Sequence, residues 1–161
     1  MEIERKFLIQ KLPDDLNTYP HHKIEQAYLS TDPVLRIRQK DNDYILTYKG
    51  PGMLAREEHE FSLNKASYQH LLKKADGNVI SKTRYLIPDA SGLTIELDVF
   101  SGCFTGLIMA EVEFPDMESA GSYQMPGWFS KEVTTDTHFH NSRMSEMTED
   151  ECLAFLKSLT L

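Results

Sequence analysis

The chain has 161 residues, 40% of them apolar, and a formal net charge of −8. That is enough apolar material for the core of one domain spanning 1–161, and it excludes a disordered chain. No apolar run approaches the roughly 20 residues of a membrane helix, and the acidic excess argues against nucleic acid or an anionic membrane as partner, though not against a small polyanion held by a local basic cluster.

The N-terminus opens on charges rather than on an apolar signal segment. The only cysteines, Cys103 and Cys152, lie far apart in sequence. Both features suit a cytoplasmic chain with ordinary thiols, not a disulfide framework or a zinc knuckle.

Turn-forming residues punctuate the chain from Pro13 to Pro126-Gly127. Between them, period-2 alternation predicts strands over 2–10, 24–30, 34–40, 43–49, 54–63, 79–87, 93–100, 106–114, 130–134 and 139–146. Asp41-Asn42 suits a hairpin turn between the third and fourth of these, and Gly50-Pro51-Gly52 a turn between the next two. A helix is predicted over 64–75, with Leu71, Leu72 and Ala75 on one side. A second is predicted over 149–159, where Thr148 and Glu151 stand in capping-box spacing and Leu153, Phe155, Leu156 and Leu159 supply an apolar face. Residues 117–123 suit a short helical turn. The sum is an α+β chain, mainly β, of mostly antiparallel strands with peripheral helices.

The alternate faces of these strands carry the functional signal. Glu2, Glu4 and Lys6 share one face of the first strand, opposite Ile3 and Phe7. Arg36 and Arg38 share a face, as do Arg56, Glu58 and Glu60. Lys82 and Arg84 flank Thr83. Glu96 and Asp98 alternate with Ile95, Leu97 and Val99, Glu111 and Glu113 with Ala110, Val112 and Phe114, and Lys49 ends its strand. Solvated sheet faces also carry charge, but they mix signs within a strand, and here the signs sort by strand. A closed barrel with the charged face inward accounts for the sorting, provided that water, metal and a charged ligand fill it. The set holds eight acidic and seven basic residues, a sum of −1. Two divalent cations would bring it to +3, against roughly −4 to −5 for a triphosphate. Outside the set, ten basic residues face seventeen acidic ones, which favours a small ligand over a nucleic acid.

With Glu2-x-Glu4-x-Lys6 at its head, the ordered series continues through Tyr28-Leu29-Ser30, Leu35-Arg36-Ile37-Arg38, Leu46-Thr47-Tyr48-Lys49-Gly50 and Arg56-Glu57-Glu58-His59-Glu60. Lys82-Thr83-Arg84-Tyr85, Glu96-Leu97-Asp98-Val99-Phe100, Ala110-Glu111-Val112-Glu113, Trp128 and Glu132-Val133-Thr134 complete it. The series resembles the triphosphate tunnel metalloenzymes, the CYTH domain family, over nearly the whole chain. The resemblance implies an eight-stranded antiparallel barrel forming a tunnel, in which basic residues grip a triphosphate and acidic ones bind Mg²⁺ or Mn²⁺. Lys6, Arg36, Arg38, Lys49, Arg56, Lys82 and Arg84 match phosphate-contacting positions. Glu2, Glu4, Glu111 and Glu113 match metal positions best, Glu58, Glu60 and Asp98 match further acidic tunnel positions and are expected to share in metal binding, and Glu96 matches an acidic tunnel position. Catalysis is expected from Glu2, Glu4 and Lys6. Tyr28 matches an aromatic position and either pairs with Lys6 to help place the water or is a packed tyrosine.

The resemblance leaves the reaction open. Hydrolysis of inorganic tripolyphosphate to pyrophosphate and phosphate is the leading expectation. Class IV adenylyl cyclases usually carry residues ahead of the ExExK motif, which here starts at Glu2. Thiamine triphosphate hydrolysis would need an aromatic clamp, which is not apparent. A non-catalytic polyphosphate-binding module would not need the full acidic set. Among other motifs, His138-x-His140 lacks a third ligand at a telling spacing, Trp128 is expected in the core, and Arg143 at the surface or barrel rim. Oligomeric state is not legible.

Overall fold

The computed structural model describes residues 1–159. In chain order its strands are β1 (Glu2–Leu8), β2 (His21–Thr31), β3 (Val34–Lys40), β4 (Asp43–Lys49), β5 (Ala55–Arg56), β6 (Glu58–Leu63), β7 (Asp76–Pro88), β8 (Thr94–Ser101), β9 (Ile108–Glu113) and β10 (Lys131–Glu132). Its α-helices are α1 (Lys65–Leu72), α2 (Met117–Ser122), α3 (Asn141–Ser145) and α4 (Glu149–Ser158). None of these helices is long and apolar enough to cross a membrane.

All pairings are antiparallel, in the order β10-β1-β9-β8-β7-β2-β3-β4-β6, with β5 on β1. The predicted strand 54–63 breaks at Glu57. Its first half joins β1 through Glu2↔Arg56 and its second joins β4 through Lys49↔Glu58. This one stretch therefore bridges the two ends of the sheet and nearly closes it into a barrel. The ten segments differ from the expected eight because β5 and β6 share one wall and β10 is a short addition to β1, paired at Phe7↔Glu132 and Leu8↔Lys131.

Both faces of the walls are used. The outward residues are apolar and covered. Ile3, Phe7, Leu97, Ala110 and Val112 pack beneath Ala120, Tyr123 and Phe129. Ala27 and Ile37 lie beneath Tyr68 of α1, with Leu71, Leu72 and Ala75 against them. The other face, with the charges, is thereby turned inward. Ile80, Phe100 and Met109 are in phase with the charged residues, and this apolar part of the inward face packs with Met144, Cys152 and Phe155 of the C-terminal helices.

The C-terminal third departs from the alternation reading. Residues 139–146 form no strand: a 3₁₀ turn at Thr137–Phe139 leads into α3. Asp136 accepts a hydrogen bond from the His138 amide at 3.1 Å and so starts the turn. Met144 and Met147 then recur at helical spacing and bury with Phe139 and Phe155, and an i, i+3 pattern this short imitates alternation. In α4 the Thr148–Glu151 capping box forms in both directions. Cys152, Phe155, Leu156 and Leu159 make its inward stripe, the i, i+3, i+4, i+7 set, so Leu153 faces solvent at 53% exposure. Trp128 is also exposed and lies edge-on to Phe129, which takes the buried position instead. Cys103 and Cys152 are free thiols whose sulfurs meet at 3.3 Å across the α4 contact.

Candidate active site

The inward face encloses a cavity of about 200 Å³. Its walls carry Glu2, Glu4, Lys6, Tyr28, Arg36, Arg38, Lys40, Lys49, Arg56, Glu58, Glu60, Lys82, Arg84, Glu96, Glu111 and Glu113, and His140, Asn141 and Ser142 close it from the C-terminal segment. Of the site residues expected from sequence, the cavity gathers all but Asp98. The register explains the grouping: Lys6 stands opposite Glu111 and Glu4 opposite Glu113 across β1–β9, Arg84 opposite Asp98 across β7–β8, and Arg38 opposite Gln26 across β2–β3.

Asp98 lies on the inward face but is covered by Lys82 and Arg84, 1% exposed. It accepts from Lys82 Nζ at 2.7 Å and from Arg84 Nε and Nη2 at 2.7 and 2.9 Å. This bidentate fork fixes the guanidinium plane. Arg84 also donates to Glu96 at 2.6 Å and to Glu111 at 3.1 Å. Burial opposes its charge, but Asp98, Glu111 and Glu96 outweigh burial and hold its pKa well above the ordinary value. Burial likewise works against the Asp98 carboxylate, yet Arg84 and Lys82 bring its pKa below normal. Asp98 thus organises two cations and presents no oxygen to the cavity.

Lys6 sits 3.5 Å from both Glu4 and Glu111. Burial disfavours its charge, and Glu111 and Glu4 more than restore it. Glu111 is held well below its usual value by Lys6 and Arg84 against the cost of burial. Lys49 joins Glu2, at 2.9 Å, to Glu58, at 3.3 Å, and Arg56 approaches Glu2 at 3.8 Å. Burial brings Lys82 down to about 8, despite Asp98, with Arg84 and Arg38 acting in the same direction.

Two features of the lining remain electrostatically unbalanced. Arg36 donates to the Thr47 hydroxyl at 3.3 Å, and its buried Nε has no partner among the described residues. Arg38 donates to the neutral Gln26 carbonyl. Enclosure of its head group, then Arg36 and Arg84, push it down to about 9. At the opposite extreme, Glu113 is raised by burial and by Glu2, Glu96, Glu4 and Glu58 around it. Glu96 is raised by burial even beside Arg84, with Glu111, Asp98 and Glu4 adding to the effect. The lining therefore has a cation-rich side on β3 and β7 and an anion-rich mouth on β1, β6, β8 and β9.

The anion-rich mouth fits a divalent cation chemically. Its donors are carboxylate oxygens, which suit the hard ions Mg²⁺ and Mn²⁺, and the raised Glu113 marks a place where added positive charge is favoured. Among the described residues no three His, Cys, Asp or Glu side chains converge as a preassembled ligand set; Glu2 and Glu58 are instead shared by Lys49.

Tyr28 is 4% exposed, and its hydroxyl accepts from Gln26 Nε2 at 3.4 Å rather than pairing with Lys6. His138 is exposed on Asp136, whereas His140 faces the cavity with Nε2 3.1 Å from the Thr134 carbonyl, so the two histidines do not act as a pair. Arg143 lies outside, on Glu151. Gln26 and Asn141 are lining or near-lining residues that sequence reasoning did not single out. Gln26 stands in phase with Tyr28 on β2 and could have been found that way, whereas Asn141 was hidden in the segment read as a strand.

The chain thus forms a nearly closed antiparallel β-barrel around a charged inward cavity, basic on one side and acidic on the other. The CYTH domain model matches residues 1–132, and the chain belongs to the CYTH domain family. It is 37% identical over 148 residues to the inorganic triphosphatase of Nitrosomonas europaea, covering 89% of this chain and 96% of that protein. It is 30% identical over 146 residues to the inorganic triphosphatase of Acetivibrio thermocellus, covering 89% and 92%. The crystal structure of an inorganic triphosphatase superposes with a TM-score of 0.69 at 33% identity, covering 92% of this chain and 96% of that one.

Proposed function

We propose that this chain is a divalent-metal-dependent triphosphatase that cleaves inorganic tripolyphosphate to pyrophosphate and phosphate. The observation that carries this reading is the division of the cavity. Among the described residues Arg36 and Arg38 make no ion pair with a carboxylate, while burial, with neighbouring carboxylates adding to it, raises the pKa of Glu113 and Glu96. A polyphosphate relieves the first imbalance and a divalent cation the second. The names of the relatives from Nitrosomonas europaea and Acetivibrio thermocellus support the same reading.

In this reading Arg36, Arg38, Lys82 and Arg84 grip phosphate oxygens. The arginine forks suit pairs of oxygens, and Lys82 adds a point charge. Lys6, Lys49 and Arg56 stand among Glu2, Glu4, Glu58 and Glu111, steady these carboxylates, and would reach the other end of the substrate. Glu2, Glu4 and Glu113, with Glu58 and Glu60, would hold Mg²⁺ or Mn²⁺. A bound ion of this kind supplies phosphate charge neutralisation and a water of lowered pKa. Asp98 and Glu111 are assigned to fixing the cations rather than to the metal. Because the charges are oriented before substrate arrives, their stabilisation of the transition state needs little reorganisation.

The test is to incubate the protein with Mg²⁺ or Mn²⁺ and, separately, tripolyphosphate, ATP and thiamine triphosphate, measuring phosphate, pyrophosphate and cyclic AMP. Tripolyphosphate turnover is expected. Cyclic AMP from ATP would replace this reading by a cyclase, and tight binding without turnover would replace it by a polyphosphate-binding module.

A further inference from the structure

Gln26 is completely buried, points into the barrel from β2 and carries no charge. Its side-chain carbonyl accepts from Arg38 twice, from Nε at 2.8 Å and from Nη2 at 2.6 Å. Its amide nitrogen donates to Asn141 Oδ1 at 2.8 Å and to the Tyr28 hydroxyl at 3.4 Å. Asn141 Oδ1 takes a second hydrogen bond, from Lys82 Nζ at 3.0 Å. The donors around the network fix its polarity: Asn141 must present oxygen to Lys82, so Gln26 must present nitrogen to Asn141 and oxygen to Arg38.

Arg38 is therefore aimed by a neutral acceptor, in contrast to Arg84, which is aimed by carboxylates, while Lys82 is held between the neutral Asn141 and the carboxylate of Asp98. An amide carbonyl directs a guanidinium almost as a carboxylate does, but it leaves the positive charge uncompensated. Gln26 occupies one edge of the Arg38 fork, so the remaining N–H groups, on Nη1 and Nη2, stay free for another anion. The depressed Arg38 value, caused by enclosure and by Arg36 and Arg84, agrees with a charge left without a counterion.

We propose that Gln26, itself oriented by Asn141, is a positioning residue that pre-aims Arg38 at the substrate phosphate through neutral hydrogen bonds, keeping the guanidinium free to bind it. The inference rests on the triphosphate reading. It also gives the C-terminal segment a part in the site, since Asn141 belongs to α3, 115 residues from Gln26.

The experiment uses Gln26→Glu and Asn141→Asp, which change shape little and add one negative charge each. Tripolyphosphate binding is measured by calorimetry in a chelator, alongside thermal melting and, with metal present, hydrolysis kinetics. The carboxylate introduced at Gln26 pairs with Arg38, and the one at Asn141 adds a second negative charge beside Lys82, which already holds Asp98, so melting temperature is held or raised while the dissociation constant rises about tenfold or more. KM rises with kcat far less affected. A merely structural amide pair would move stability and affinity together. Wild-type affinity in both variants would overturn the inference, as would the unfolding of both. Wild-type protein that hydrolyses tripolyphosphate, with variants of unchanged KM, keeps the triphosphatase reading and rejects this one. Wild-type protein that binds tripolyphosphate without turnover, with both variants binding about tenfold more weakly, does the reverse.

Discussion

Replacing Asp98 with asparagine separates two roles an acidic tunnel residue can have, since a metal ligand and a holder of cations respond differently. Asp98 serves Lys82 and Arg84 and is 1% exposed. Removing one partner of a buried ion pair costs about 3–5 kcal/mol. Arg84 keeps Glu96 and Glu111, and asparagine keeps an acceptor, so the lower end, about 3 kcal/mol, is expected. For a chain of this size that lowers the melting temperature by about 6–12 °C. The more specific consequence falls on Lys82. In the wild type it keeps its charge below about 8 and loses it above, so metal-free tripolyphosphate affinity is fully developed below about 8 and declines as pH rises through that value. Asp98 raises the Lys82 pKa against burial. A charge-assisted hydrogen bond of about 1.5–3 kcal/mol corresponds to roughly one to two pKa units, so Asp98→Asn moves the inflection that far toward lower pH. Calorimetric titration with tripolyphosphate in a chelator, across the range bracketing the Lys82 value, measures the inflection, and a parallel Mg²⁺ titration measures metal affinity. An unmoved inflection together with weakened Mg²⁺ binding would refute the reasoning and return Asp98 to the metal ligands.

Glu113→Gln should weaken Mg²⁺ binding about tenfold or more while slightly raising the melting temperature of the metal-free protein, because it removes a carboxylate crowded by four others; paired Mg²⁺ titration and melting curves check both signs. Arg38→Ala should raise KM for tripolyphosphate more than Arg38→Lys does, since lysine restores the charge but not the fork; steady-state kinetics on the three proteins decides. Thr148→Ala removes the capping box of α4 and should cost about 1 kcal/mol, or roughly 2–4 °C, with unchanged kcat and KM. In the metal-free and ligand-free protein, the Lys82 contribution to stability should grow between about 8 and its ordinary value, because the unfolded chain keeps a proton there that the folded chain has released; melting curves of wild type and Lys82→Met over that window isolate this contribution.

Much of the barrel was legible because its walls obey one rule. β3 and β4 begin and end at the residues alternation predicts, and the inward charges were identifiable because each stands two residues from the next. Pairing was not legible. Nothing local to residues 54–63 says that the chain changes neighbours at Glu57, joining β1 on one side and β4 on the other, because that choice is made by barrel closure. Asp98 and Glu96 alternate in sequence like a matched pair, yet one is 1% exposed behind Arg84 and the other lines the cavity. Alternation gives the face of a strand but not the depth to which neighbouring side chains cover it. Asn141 was missed for a different reason: its segment carries apolar residues at a spacing that fits a short helix and a short strand equally.

The placement of Asp98 also changes the electrostatic argument for a small ligand. With Asp98 withdrawn and Lys40 added, the lining holds eight basic and seven acidic side chains, a sum of +1. A fully ionised tripolyphosphate carries roughly −5, so the walls alone compensate only a fraction of it. Two divalent cations at the mouth would supply the remaining +4, and the assembled site would be neutral. Proportion matters here because the cavity is enclosed and attraction within it is weakly screened, whereas the rest of the chain is strongly acidic and repels polyanions over about 10 Å. A long polyphosphate must place most of its charge against that acidic exterior. A short one can place all of it inside, so on the proposed function the net charge of −8 would select among polyanions by length rather than exclude them.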